Sequence, residues 1–290
     1  IQIPGLLRFQ FVWRPIIGLR DADLRRVLRL LGPRLLTMLA IQLTFIVRDN
    51  LASRLESGAV SSLTYGWMIQ QVPETIIGTA LAVALLPTLS EHIARGDEES
   101  FRATMEKAAR ILFALTLPIA AIMALGIGPL LDFAFPGFGD TLLWVTRGYL
   151  IGLFGHSLKE LTARSFYARQ NALVPLVTAS LNTALYIAIG VLMFRGFGAF
   201  GISLTDSVVF TLEAVLLLVL LNRRLLYPVR LDRFPWRVGL SVAFGAGAAL
   251  AGLALGGSLH PLLGGSLALG LGGLAALPWI LPEIKILLRL

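Results

Sequence analysis

From Ser61 to Ser90 the sequence runs for thirty residues with a single formal charge, Glu74. A helix that crosses a bilayer needs about 20 mostly apolar residues, so this stretch is long enough to span one. The same character extends along the chain. Of 290 residues, 56% are hydrophobic and 14% are charged, against about 25% charged in soluble domains, and the mean hydropathy is +0.79. The expected fold class is all-α: a polytopic integral membrane helix bundle.

Windows of that length pick out about eight transmembrane helices, at 33–54, 61–89, 108–131, 141–163, 175–194, 199–222, 238–257 and 262–281. The longest polar connection, 90–107, has an acidic front and a basic back and is predicted to form an amphipathic interfacial helix. A basic cytoplasmic linker at 223–237 separates a six-helix lobe, 33–222, from two extra helices and a tail in 238–290. The extra pair is rich in Gly, Ala and Leu (GAGAALAGLALGG, GGSLALGLGGLAAL), a composition suited to close helix packing or lipid contact. Arg8 and Arg14 interrupt the first apolar stretch, which therefore does not read as a signal peptide. Residues 1–32 read instead as a basic cytoplasmic segment at the end of a preceding lobe, and the chain as part of a longer protein.

Lysine and arginine set the expected orientation, since they concentrate in cytoplasmic loops. With a cytoplasmic start, 21 of the 25 fall inside, leaving Arg48, Arg54, Arg147 and Arg195 toward the other side. Both ends of the chain are then cytoplasmic. The net charge of +8 does not indicate nucleic acid, because the arginines flank apolar runs. No cysteine occurs, which removes disulfides, thiol nucleophiles and Cys-based metal sites. His92, His156 and His260 are far apart and carry no metal signature. With no nucleophile–base pair or phosphate loop, neither a catalytic residue nor a cofactor is assigned.

Charge and amide groups inside the apolar runs are the candidate functional residues, because they are costly in hydrocarbon and usually face a cavity or a partner. Arg48 and Asp49 lie in the last third of the first helix. They either neutralise each other near the outer interface or line a polar cavity. In the second helix Tyr65, Gln70, Gln71 and Glu74 form a polar group around Pro73. Proline frees the carbonyl of Ile69 and bends the helix, so the bent side is expected to face protein or water. Pro73 and Gly78 are the candidate hinge. Asn182, Asp206 and Glu213 complete the set, with Asp206 and Glu213 two turns apart on one face. Four helices contributing polar groups suit a transporter with a hydrated substrate cavity.

Several of these segments resemble the MviN/MurJ family of lipid II flippases. The resemblance is carried in order by LRRVLRLLGPRLLTMLAIQLTFIVRDNLASRL, LTYGWMIQQVPETIIGTALAVALLPTLSEHIARGD and FYARQNALVPLVTASLNTALYIAIG. It implies fourteen helices in the whole protein, of which this chain resembles the last eight. It also implies a substrate, an undecaprenyl-pyrophosphate-linked disaccharide peptide, carried across the bilayer by alternating access of two lobes. The N-terminal lobe is then a required partner. Arginine suits a diphosphate, since its planar fork matches phosphate oxygens and stays charged.

Met68 stands where many members carry an arginine, and Arg48 is the candidate replacement. The resemblance further implies a monovalent cation site, to which Asp49, Asn182 and Thr205 would contribute, with Tyr186 where a further carboxylate would help. Coupling to such a cation or to membrane potential is the expected energy source. The competing readings are a related exporter of polysaccharide-lipid or drugs and cations, and a non-transporting membrane scaffold in cell-wall assembly.

Overall fold

A computed structural model describes residues 22–226, 228–229, 236–256 and 260–287. Most of the expected cytoplasmic segment 1–32 and much of the linker 223–237 lie outside the described residues. Among the described residues the secondary structure is helical, with no strand. The helices are α1 (Ala22–Ala52), α2 (Ala59–Ala94), α3 (Glu98–Gly126), α4 (Gly128–Ala134), α5 (Gly139–Ile151), α6 (Leu153–Ala168), α7 (Leu173–Asn222), α8 (Trp236–Gly256) and α9 (Pro261–Leu287). Six of them, α1, α2, α3, α7, α8 and α9, are long and apolar enough to cross a membrane. The all-α membrane bundle expected from composition is therefore the observed fold.

The expected runs depart from a simple one-run, one-rod correspondence in three places, among them 108–131, which breaks at Ile127 between α3 and α4. The fifty-residue α7 contains Gly198 at φ 57°, ψ −136°. Only glycine adopts such a conformation without a steric penalty, and there the chain reverses. Asn182 and Thr178 on the first arm (173–197) reach Glu213 on the second (199–222). The expected helix at 141–163 is interrupted at Gly152, between α5 and α6.

The expected amphipathic helix over 90–107 does not form. Instead α2 runs to Ala94 and α3 starts at Glu98, so the charges lie on the last and first turns of two long helices. Gly96, at φ 70°, ends α2 in a Schellman arrangement: its N–H bonds to the carbonyl of Ile93, and the Asp97 N–H to that of His92. Asp97 then caps α3 by accepting the Ser100 N–H at 2.9 Å. That bond holds its carboxyl below the usual range. Local capping chemistry thus overrode the charge pattern.

Small residues decide how the rods sit against each other. A Cβ built on Gly148, Gly152 or Gly155 would fall 2.1, 2.5 or 2.1 Å from the hydroxyls of Ser203, Ser207 and Thr211. This matched spacing aligns α5–α6 parallel to the second arm of α7. Ser207 fixes the contact by donating to the carbonyl of Gly148 at 2.6 Å. In the same way Gly66 meets Val145 and Thr146, and Gly78 meets Ser157, setting α2 parallel to α5–α6. The hydroxyls of Thr44 and Thr183 meet at 3.1 Å, and Leu51 reaches Gly190, so α1 runs parallel to the first arm of α7.

Helices α8 and α9 use their glycines for contact with each other. A Cβ on Gly252 would lie 2.7 Å from the Ala268 backbone, and one on Gly256 2.5 Å from Gly264. Leu250, Leu255 and Leu274 point outward and are exposed, so packing and lipid contact divide between two faces. The pair rests on α3, where Gly245 and Gly272 meet Ile122. Arg110 on α3 bonds the buried Glu283 on α9 at 2.8 Å. Gly152→Ala pushes a methyl group to 2.6 Å from the Ser207 Cα. Such overpacking is expected to cost about 1–3 kcal/mol and to lower the thermal unfolding midpoint in detergent. Gly247→Ala, which meets nothing within 4 Å, is expected to leave the midpoint unchanged or slightly raised.

Candidate functional site

The side-by-side packing of α1, α2, α5–α6 and the two arms of α7 brings their polar residues into one line through the lobe. At one end Arg48 turns inward, bonding Asp49 through Nε and Nη2 at 2.9 Å each, with its guanidinium 4.9 Å over the Phe45 ring. The hydroxyls of Tyr149 and Tyr186 lie in the neighbourhood of this cation. Both tyrosines are fully buried, and neither hydroxyl has a hydrogen-bond partner among the described residues.

One step further along, the buried His156 and Asp206 meet, Nε2 to Oδ2, at 3.0 Å. The imidazole stacks on Phe210, with centroids 4.4 Å apart and planes 17° apart. Glu74, half-buried on α2, accepts the Thr79 hydroxyl at 3.1 Å and has His156, Glu160 and Lys159 as ionisable neighbours. At the other end Glu160 receives Lys159 and Arg164, each at 3.4 Å. Glu213 is buried there and accepts from Asn182 and, at 3.3 Å, from Thr178. A cleft of about 140 Å³ between α1, α6 and α7 is lined at this end by Arg34, Lys159, Arg164, Tyr167 and Glu213, among others.

The bend expected at Pro73 takes a specific form. Pro73 is buried, and the helix continues as one π-helical segment, Glu74–Thr79, before returning to α-geometry. Missing its N–H, proline cannot satisfy Ile69, and the wider turn is how the backbone absorbs the interruption. Gly78 sits in that turn against Ser157, where a Cβ would come within 2.9 Å of backbone. It provides a close helix contact. Gln70 is buried and Gln71 half-buried, while Tyr65 packs instead on Phe135 and Phe138, at 4.8 and 5.4 Å.

The structure brings together Arg48 with Asp49, and Asn182 with Glu213, and gives Asp206 a histidine partner. It does not bring Asp49, Asn182 and Thr205 together. Asn182 lies level with Leu43, about 9 Å from Asp49 along α1 at 1.5 Å per residue. Thr205 spends its hydroxyl on the carbonyl of Gly201 at 2.8 Å, and the positive charge beside Asp49 is Arg48 itself. Arg48 also fails as a stand-in at the Met68 position. Its side chain is buried in the lobe, whereas Met68 is 54% exposed on the lobe surface.

His156, Lys159, Glu160 and Tyr149 were missed as site residues. The signal was present: HSLKE places His156, Lys159 and Glu160 at helical i, i+3, i+4 spacing within an apolar window. Isolation in sequence concealed the histidine, and membership of a basic loop concealed the lysine.

This fold is one shared with solved membrane transporters. A MATE transporter in its bent conformation superposes with TM-score 0.60 at 17% identity, covering 92% of this chain and 70% of its own. A structure titled lipid II flippase MurJ, inward closed conformation, superposes with TM-score 0.70 at 18% identity, covering 98% of this chain and 59% of its own. The family model described as Lipid II flippase MurJ matches residues 1–259, and the chain belongs to that family.

The lipid II flippase MurJ of Burkholderia cenocepacia is 31% identical over 249 residues, covering 78% of this chain and 46% of the relative. A probable lipid II flippase MurJ of Rhizobium meliloti is 27% identical over 229 residues, covering 73% and 43%. The chain thus spans less than half the length of these curated relatives. It is a multi-pass protein of a bacterial inner membrane.

Arg48→Ala removes both a charged hydrogen bond and the guanidinium contact with the Phe45 ring. It is expected to cost roughly 2 kcal/mol, read as a lower unfolding midpoint, whereas the exposed Arg195→Ala is expected to be neutral. Asn182→Ala leaves the buried Glu213 carboxylate with the Thr178 hydroxyl as its one remaining donor. Adding Glu213→Ala to it is expected to recover part of the loss, so that a double-mutant cycle reports coupling between the two.

Proposed function

We propose that this chain is the second lobe, with its two appended helices, of a flippase that translocates a lipid-linked peptidoglycan precursor, lipid II, across the cytoplasmic membrane. The observation that carries this reading is the family match over residues 1–259. The substrate is an undecaprenyl-pyrophosphate-linked disaccharide peptide, and the bilayer and a companion N-terminal lobe are the other partners. Nucleic acid has no part.

The lobe, 33–222, contributes six crossings and 238–290 two more, counting the two arms of α7 separately and α5–α6 as one. The basic loops are cytoplasmic, as are both ends of the chain. The turns at Gly96, Asn171 and Arg224 line one common pocket, which supports placing these basic loops on one side.

Transport proceeds by alternating access: the two lobes rock about a central cavity and expose it to either side, with no covalent step. In this lobe α2 is the element suited to bend, because its π-turn can be absorbed or displaced at little cost in hydrogen bonds. Gln71, Glu74 and the cleft with Arg34, Lys159 and Arg164 are its polar contribution to the cavity. No bound cofactor is needed, since an ion gradient or the membrane potential supplies the energy. Met68 favours one competing reading, a non-transporting scaffold, because it lacks the charge that a diphosphate would meet there.

The test is rescue. A full-length protein containing this chain, expressed in cells depleted of their own flippase, is expected to restore translocation of lipid II and growth. Normal membrane insertion without translocation would argue strongly against the flippase reading.

A further inference from the structure

The line of ionisable groups contains more carboxylates than fixed cations. Arg48 neutralises Asp49, and Lys159 and Arg164 share Glu160. Among the described residues Glu74, Asp206 and Glu213 have no lysine or arginine bonded to them. A carboxylate taken out of water must be paired, well hydrogen-bonded or neutralised. Glu213 has two donors and Glu74 has one. Asp206 alone has a titratable partner, the imidazole of His156 at 3.0 Å.

We propose that His156 is a proton-binding site of this lobe, with Asp206 as its hydrogen-bond partner. Imidazole is the side chain whose ordinary titration falls between about pH 5 and 8. Every element packed near it contributes to the balance. On α7, Asp206 favours the charged ring, and Phe210 stacks against it in the geometry that suits a cation. On α2, Glu74 favours it too. On its own helix Glu160 favours it, while Lys159, 4.9 Å from the same Phe210 ring, opposes it. Tyr149 on α5, Tyr186 on α7 and Arg48 with Asp49 on α1 lie beyond Asp206. From α3 the facing contact is Phe113 on Phe154.

A proton also needs a route. Tyr149 OH, Tyr186 OH, Gln70 Nε2 and Ser157 Oγ are buried in this line without a hydrogen-bond partner among the described residues. Their unmet hydrogen-bonding capacity makes this line the polar surroundings through which a proton would reach His156.

The test counts protons and needs no lipid substrate, so it stands or falls independently of the flippase reading. Purified full-length protein is titrated in unbuffered choline chloride between about pH 5 and 8. His156→Gln is expected to take up about one proton fewer per chain than the parent, the charge change of a single imidazole. An unchanged proton count in the folded variant overturns the proposal. In a version keeping His156 as its one histidine, infrared spectra with isotope-labelled histidine are expected to show the ring gaining a proton over this range. A ring band constant with pH overturns the proposal even where His156→Gln does not fold. Replacing choline with sodium is expected to leave uptake unchanged, and suppression by sodium would mean that the line holds a metal cation instead.

Discussion

An ionisable group placed in hydrocarbon costs about 2.5–3.5 kcal/mol on insertion scales, and the rest of this structure is arranged around that penalty. Most of the ionisable residues that the structure places inside the lobe meet a partner there. Arg48 closes on Asp49, Asp206 on His156, Glu213 on Asn182, and Glu160 on two cations. Each pair except Arg48–Asp49 and Lys159–Glu160 joins residues on different helices or different turns. Their order therefore depends on how closely the helices approach.

That approach is set by residues with almost no side chain. The contacts of Gly148, Gly152 and Gly155 with Ser203, Ser207 and Thr211 seat α5–α6 against the second arm of α7 at a separation that larger residues would forbid. One consequence is that the His156 ring reaches Asp206 and stacks on Phe210. Gly78 does the same between α2 and α6, which brings Glu74 into the neighbourhood of His156. Packing and site chemistry thus share the same small residues, and a methyl group added in one place disturbs both.

Much of the fold was legible in the sequence because hydrocarbon imposes a simple requirement, about twenty apolar residues per crossing. The runs, the all-helical class and the polar waist of α2 all followed from it. The interfacial helix at 90–107 failed because the Gly96–Asp97 pair ends one helix and caps the next within a few residues, a local signal weaker in composition than the charges around it. The site was half legible. Gln70, Glu74, Asn182, Asp206 and Glu213 stood out as polar residues in apolar runs. Arg48 pairs with Asp49, one of the two arrangements open to it, and His156 was passed over, because a lone residue shows its chemistry only beside its partner.

The sequence by itself determined what had to be buried: the apolar runs, the proline in α2, and the ionisable residues that no lipid would accept. Only the tertiary structure decided which of them meet. Asn182 and Glu213 are 31 residues apart, His156 and Asp206 50, and Arg110 and Glu283 173. Such pairs are fixed by which helix faces touch, and that is chosen by small-residue contacts whose matching is invisible until both helices are in place. The physical reason is range: hydrophobicity and backbone bonding act within a segment, while the pairing of buried charges is settled between segments.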